Sequence, residues 1–139
     1  MKKFYLLCGV VTVISCIVFW NQFFVTRPVI ADPQSAEIID IIHVYDTQHG
    51  GYVNITEYDE TAILDYLSTC SEIRTLHRSK MGYSYNDFTV ILRVVDQHDF
   101  KHVLLGTGDN YSYTGYSKFD YEIEDAATVL ENLKELLEL

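Results

Sequence analysis

The chain has 139 residues, with 10 Lys and Arg against 20 Asp and Glu, and this acidity disfavours binding to nucleic acids or to anionic lipid. All twenty acids but only seven of the bases lie from Ala31 onward, so this part carries a formal charge of −13. Once an apolar amino-terminal stretch is set aside, about 110 residues remain, which suffice for one small domain with a single core.

Residues 1–26 are predicted to be a membrane anchor or uncleaved signal segment. Lys2 and Lys3 precede an uncharged run that reaches Thr26. As a helix, about 17 to 22 apolar-dominated residues would rise roughly 25–33 Å, enough to cross a bilayer core. The basic start and the acidic remainder predict a single-pass protein of the cell membrane, with its amino terminus in the cytoplasm and its domain extracytoplasmic.

A lipoprotein leader is the second interpretation of this segment. Residues 13–16, Val-Ile-Ser-Cys, resemble a lipobox, in which the cysteine, here Cys16, becomes the lipidated first residue. Apolar residues follow Cys16 where a polar tether is usual, so an uncleaved anchor is favoured over a cleaved or lipidated leader. Residues 27–35, with Pro28 and Pro33, are predicted to be a short stiff tether to a domain over residues 36–139.

Hydrophobic periodicity assigns the elements of this domain in order. Alternation predicts strands at 37–46, 52–56 and 72–80, a hairpin over 88–106, and short aromatic strands at 111–113 and 116–123. Helical spacing at 56–70 and 124–139 gives apolar stripes of Ala62, Ile63, Tyr66, Leu67 and Cys70, and of Ala126, Val129, Leu130, Leu133, Leu136 and Leu137. Thr56 or Asp59 is the candidate N-cap of the first helix and Asp125 of the second.

The hairpin is the centre of the predicted fold. If Asp96 opposes Asp99 across the turn, Arg93 faces His102 and Leu92 faces Val103. One face then carries a set of apolar side chains that suits a core: Phe88, Val90, Leu92, Val94, Val103 and Leu105. The fold predicted overall is α+β, an antiparallel sheet of about five to six strands with two helices packed on one face, preceded by one transmembrane helix.

The segment His49-Gly50-Gly51, the helix at residues 60–67, the hairpin, the aromatic segment at 104–121 and the Leu-rich final helix together resemble a group of small bacterial domains. These are extracytoplasmic domains of unknown function in Gram-positive bacteria, found behind an anchor helix or a lipoprotein signal. The resemblance implies a fold and an extracytoplasmic location, and it implies no catalytic residues.

Aromatic residues near the carboxyl end are the candidate binding site. Tyrosine presents a flat apolar ring with a polar tip, which suits protein interfaces and sugar faces. The alternative interpretation is that alternate rings pack on the sheet. The candidates are Tyr111, Tyr113, Tyr116, Phe119 and Tyr121.

The densest set of metal-ligand types is His98 and His102 with Asp96 and Asp99. A zinc site needs three or four converging ligands, whereas strand residues four apart lie roughly 13 Å apart, so a polar turn is the preferred interpretation and no metal is predicted. Cys70 stands on an apolar helical stripe, as an inert core thiol would.

These features predict a non-enzymatic binding or regulatory module at the cell envelope, with no cofactor and with another protein as its partner. The alternatives are an immunity or inhibitor protein whose acidic surface binds a basic partner, and a metal-dependent hydrolase built on His98 and His102.

Overall fold

The computed structural model describes residues 1–78, 87–106, 111–114 and 119–139, with the backbone alone for residues 76–78, 111, 113, 114 and 119. Its helices are α1 (Lys2–Phe23), α2 (Glu60–Thr69) and α3 (Ala126–Leu136). Its strands are β1 (Arg27–Pro28), β2 (Glu37–Asp46), β3 (Gly51–Ile55), β4 (Ser71–Arg78), β5 (Val90–Asp96), β6 (Asp99–Leu105), β7 (Tyr111–Thr114) and β8 (Phe119–Ile123). The α+β class is confirmed.

Helix α1 is long and apolar enough to cross a membrane, and it lies near the amino terminus. Its 22 residues rise about 33 Å, close to the roughly 30 Å hydrocarbon core of a bilayer. None of its residues is buried against the described part of the domain. A helix that is apolar on all sides and covered by no protein suits a lipid environment.

The eight described strands form one antiparallel sheet in the order β1-β4-β8-β7-β6-β5-β2-β3. The predicted count of five to six strands was therefore too low. The hairpin register is confirmed, since Asp96 opposes Asp99, Arg93 opposes His102 and Leu92 opposes Val103. Gln97 and His98 form its two-residue turn, both with positive φ, as a turn matching the twist of the strands requires.

The main core lies between one face of the sheet and helices α2 and α3. Val90, Leu92, Val94, Val103 and Leu105 of the hairpin are buried there, as predicted. The two helices contribute Ile63, Leu64, Leu67, Val129, Leu130 and Leu133 to the same cluster. Each fully buried leucine stabilises the fold by about 1.5–3 kcal/mol. Asp59 caps α2 by accepting a hydrogen bond from the Ala62 backbone N–H at 3.0 Å.

Phe88 lies in a second cluster on the opposite face, with Ile42, Val44, Ile91 and Leu104. The prediction that it shares the main core was wrong, because β5 begins only at Val90 and the alternation of side chains does not extend back to Phe88. Both faces of the hairpin are therefore apolar near its base.

Residues 27–32, within the predicted tether of residues 27–35, pack against the domain. Arg27 and Pro28 pair with Glu72 and Ser71 of β4, and Val29 and Ile30 have no exposed surface. Residues 27–32, here called the crossing segment, then run from β4 to the tip of the β5–β6 hairpin, where the Ala31 N–H donates to Asp96 at 2.8 Å. The chain therefore enters the core directly after α1.

Candidate functional site

A carboxylate, an ammonium and a hydroxyl lie buried together on the helix-covered face of the sheet. Glu72 and Ser112 have no exposed surface, and Lys101 is 4% exposed. Lys101 Nζ donates to Glu72 Oε1 at 2.7 Å and to the carbonyl of Val29, while the Ser112 hydroxyl donates to the other Glu72 oxygen. These hydrogen bonds connect β4, β6, β7 and the crossing segment through Glu72 and Lys101.

Burial lowers the pKa of Lys101, because desolvation disfavours the charged ammonium, and the Glu72 carboxylate opposes this effect. A lysine with a lowered pKa close to a serine occurs in the active sites of some hydrolases. Here, however, both groups bond to Glu72, and the serine is sealed from solvent. We interpret the cluster as a structural one.

Arg27 and Arg74 enclose the ring of Tyr121 at the edge of this cluster. Arg27 Nε donates to Glu72 Oε1 at 2.9 Å, and its guanidinium carbon lies 3.5 Å from the centroid of the Tyr121 ring. Arg74 donates to the Tyr121 hydroxyl from Nη2 at 2.8 Å, and its guanidinium carbon lies 5.6 Å from the ring centroid of Phe23, the last residue of α1. The domain thus contacts the end of α1 directly.

The structure describes the side chain of one of the five predicted aromatic binding residues, Tyr121. Tyr121 is 4% exposed, so its ring offers no surface to a partner. Tyr111 and Tyr113 lie on β7 and Phe119 begins β8, but only their backbones are described, and Tyr116 lies outside the described residues. A binding role for these four stays a prediction.

The weak metal candidates do not converge. Asp96 and Asp99 face each other across the hairpin, and His98 lies in the exposed turn between them. His102 is on the other face of β6, opposite Arg93, whose guanidinium pairs with Asp40. In the described ranges, no three His, Cys, Asp or Glu side chains are placed to hold one ion.

The cysteines occupy two different environments. Cys16 is exposed on α1 within the apolar run. Cys70 is buried, and its Sγ donates to the Tyr66 carbonyl at 3.4 Å. Burial raises the pKa of the Cys70 thiol, which keeps it in the weakly reactive protonated form. Lipidation of Cys16 remains an alternative interpretation of the leader.

Strand β3 is an open edge of the sheet, since within the described residues it pairs with β2 alone. Its sequence, Gly-Tyr-Val-Asn-Ile, contains no charge. Tyr52 is 60% exposed and Val53 48%, and the neighbouring Tyr45 is also exposed. The ring of Tyr45 covers Gly51, where a Cβ atom would lie 2.6 Å from it. This edge is an accessible, uncharged row of backbone donors and acceptors.

Sequence analysis did not find Glu72, Ser112 or Lys101. One signal was present, because Lys101 opposes Val94 and therefore lies on the apolar face of the hairpin. A lysine at an inward position indicates a buried partner, yet the sequence does not say which acid supplies it.

Comparison with known proteins gave no match to a family model, to a curated protein or to a solved structure. The candidate sites therefore depend on the geometry of this chain alone.

Proposed function

We propose that this chain is a non-enzymatic protein-binding module held at the outer surface of the cell membrane by α1. Its partner adds an extended segment to the open edge of β3. The observation that carries the proposal is the uncharged, exposed edge formed by Tyr52, Val53 and Asn54.

An edge strand exposes unpaired backbone N–H and C=O groups, which another chain can use to extend the sheet. Soluble proteins usually protect such edges with charges, prolines or bulges. The five residues of β3 include no charge and no proline, although 20 acids are present in the rest of the domain. The irregularity in its pairing with β2 falls beside Gly51, and Tyr52 to Ile55 pair in regular register. Without a charge or a proline, these residues leave the backbone groups of the edge open to pairing with another strand.

The acidity of the domain indicates the character of the partner. A formal charge of −13 from Ala31 onward repels acidic proteins and favours a partner segment that carries Lys or Arg. The same charge supports the second candidate function, an immunity or inhibitor protein that covers a basic enzyme. The two differ in the contact, because an inhibitor acting through acidic side chains would not need β3.

Site-specific photo-crosslinking in native membranes tests the proposal. A photoreactive residue at Tyr52 should capture one discrete protein, and mass spectrometry should map the crosslink to an extended, basic segment of that protein. The same residue at Glu131, which is exposed on α3, is the matched control and should give no capture of this protein.

Two substitutions of Val53 make the result specific to the edge. Val53→Lys places a charge on β3 and should abolish capture at Tyr52, while Val53→Thr keeps the strand preference and should retain it. Equal capture from Tyr52 and Glu131 would contradict docking at β3. Capture that survives Val53→Lys but is lost on reversing acidic surface charges would favour the inhibitor function instead.

A further inference from the structure

A small cavity lies where the hairpin turn meets the crossing segment. Its volume is about 140 Å³, and its lining includes Arg27, Lys101, Asp96, Gln97 and Asp99. Drug-sized ligands occupy pockets of roughly 300–1,000 Å³, so this cavity suits a ligand of only a few heavy atoms.

The cavity lies close to the membrane end of the molecule. Arg27 is four positions after Phe23, where α1 ends, and Phe23 itself contacts Arg74 of the domain. Three intervening residues reach at most about 13 Å between the Cα atoms of Phe23 and Arg27. If α1 crosses the hydrocarbon core, Arg27 stands at or just beyond the polar headgroup layer of about 5–8 Å.

The lining carries both signs of charge. Arg27 brings a guanidinium to the cavity, and its side chain is 43% exposed although it also pairs with Glu72. On the other side, Asp96 and Asp99 directly oppose each other across the hairpin. Like charges in that position are destabilising. Lys101, which also lines the cavity, interacts with Asp96 and offsets part of this repulsion, so a bound cation would act chiefly on the exposed Asp99. Asp96 already accepts the backbone N–H groups of Ala31 and Asp32, one on each carboxylate oxygen, while Asp99 is exposed.

We propose that this cavity binds a phosphate–ammonium group, the headgroup of an aminophospholipid of the leaflet into which α1 emerges. Arg27 binds the phosphate, because a guanidinium matches phosphate oxygens with paired N–H donors. The primary ammonium donates to Asp99 and Asp96. A headgroup with a quaternary ammonium has no N–H to donate, and one with a net negative charge is repelled by the two aspartates.

Lipid retention by the full-length chain tests this assignment. The protein is reconstituted in nanodiscs with equal amounts of phosphatidylethanolamine, phosphatidylcholine and phosphatidylglycerol, and the lipids it keeps are identified by native mass spectrometry. Phosphatidylethanolamine should be enriched over both others. Asp99→Asn should reduce that enrichment about tenfold, as the loss of a charge-assisted hydrogen bond implies.

Matched variants separate binding from folding. Asp99→Asn removes a like-charge contact, so the variant should fold normally, and Asp65→Asn on the exposed face of α2 should leave the enrichment unchanged. Arg27→Gln should reduce retention of all three lipids, and thermal unfolding of the same sample shows whether the fold is intact. Arg27→Lys keeps the charge and should restore part of the retention.

Two outcomes would overturn the proposal. Equal retention of the three lipids by the wild type, unaffected by Asp99→Asn, would show that the cavity does not select this headgroup. The second outcome is tested with soluble phosphoethanolamine. If this compound protects residues 96–99 from hydrogen exchange while no lipid is enriched, the site binds a soluble ligand. Competition between the two, with lipid enrichment, supports the membrane source.

Discussion

At the scale of the residue, the environment of Glu72 leads to a specific prediction about stability. Its carboxylate is fully buried and bonds to Lys101, Arg27 and Ser112. Breaking a buried ion pair by removing one partner leaves an uncompensated charge in a medium that solvates it poorly. We expect Glu72→Gln to lower the free energy of unfolding by about 3–5 kcal/mol, measured by denaturant titration.

Glu131 offers the matched control, because its pair with Lys134 at 2.9 Å is exposed. Glu131→Gln should change the free energy of unfolding by less than about 1 kcal/mol. The double variant Glu72→Gln, Lys101→Met should recover part of the loss, since the stranded ammonium is then removed as well. A cost at Glu72 as small as that at Glu131 would mean that the cluster is hydrated.

His102 predicts how stability depends on pH. Burial, and then the charge of Arg93, lower the pKa of His102 below its ordinary value of 6.5, and Asp40 partly opposes this. At pH values between the lowered folded pKa and 6.5, the unfolded chain binds more protons at His102 than the folded chain does. The stability that His102 contributes is therefore present above pH 6.5 and is lost as the pH falls through the folded pKa.

We expect His102→Gln to flatten the rise in unfolding free energy with pH that His102 contributes below pH 6.5, measured by denaturant titration at several pH values. His98→Asn, in the exposed turn, is the control, because asparagine tolerates the positive φ of that position. An unchanged slope in the His102 variant would place the pH dependence elsewhere in the chain.

The limits of prediction at this scale follow from distance along the chain. The alternation of the hairpin fixes Lys101 as inward-facing, but its partner Glu72 lies 29 positions earlier on another strand. Only the pairing of β4 with β8 and β8 with β7 brings Glu72 and Ser112 to the same face. Local periodicity carries no information about such non-sequential neighbours, so the cluster could not be assembled from sequence.

At the scale of the element, strands with an alternating run were predictable, whereas the two-residue strand β1 was not. The hairpin register follows from two runs of β-branched residues around a polar turn, and strand β2 matches the predicted residues 37–46. Strand β1 has two residues, one of them a proline, and therefore shows no alternation. Pro28 suggested a tether, but a proline is also tolerated at a sheet edge, where β1 lies.

Ile30 and Ile39 provide a matched test of the crossing segment. Ile30 has no exposed surface, whereas Ile39, on β2, is 44% exposed. We expect Ile30→Ala to lower the free energy of unfolding by about 2–5 kcal/mol, because it leaves a cavity in the core. Ile39→Ala should cost less than about 1 kcal/mol. If both variants lower the free energy of unfolding by the same small amount, residues 27–35 act as a tether.

At the scale of the whole molecule, the anchor and the domain are joined more tightly than a tether would allow. The domain has its own core, and α1 is uncovered by the described residues, so each part can satisfy its own environment. The crossing segment and the Phe23–Arg74 contact nevertheless limit how the domain can move relative to α1. Both proposed sites depend on that geometry, since one needs the edge of β3 accessible and the other needs the cavity near lipid.

Trp20, the only tryptophan of the chain, reports the position of α1 in a bilayer. It lies 18 residues after Lys2, about 27 Å along a helix of 22 residues, so a spanning α1 places it near the interface on the domain side. In vesicles of the full-length protein, its fluorescence should be quenched several-fold more by lipids with a nitroxide near the headgroup than by lipids labelled deep in the acyl chain.

Moving the tryptophan to the middle of α1 reverses the expected result. In the variant Trp20→Phe, Val11→Trp, the ring lies about 14 Å from Lys2 along the helix axis, near the bilayer centre, and the deep label should quench it more strongly. The domain is unchanged in both proteins, so the comparison depends only on depth. If neither lipid label quenches either tryptophan, α1 lies outside the bilayer, and the membrane address on which both proposed sites rely is refuted. If both tryptophans are quenched best by the shallow label, α1 lies along the surface as an interfacial helix, and the domain is held at the headgroups without a span.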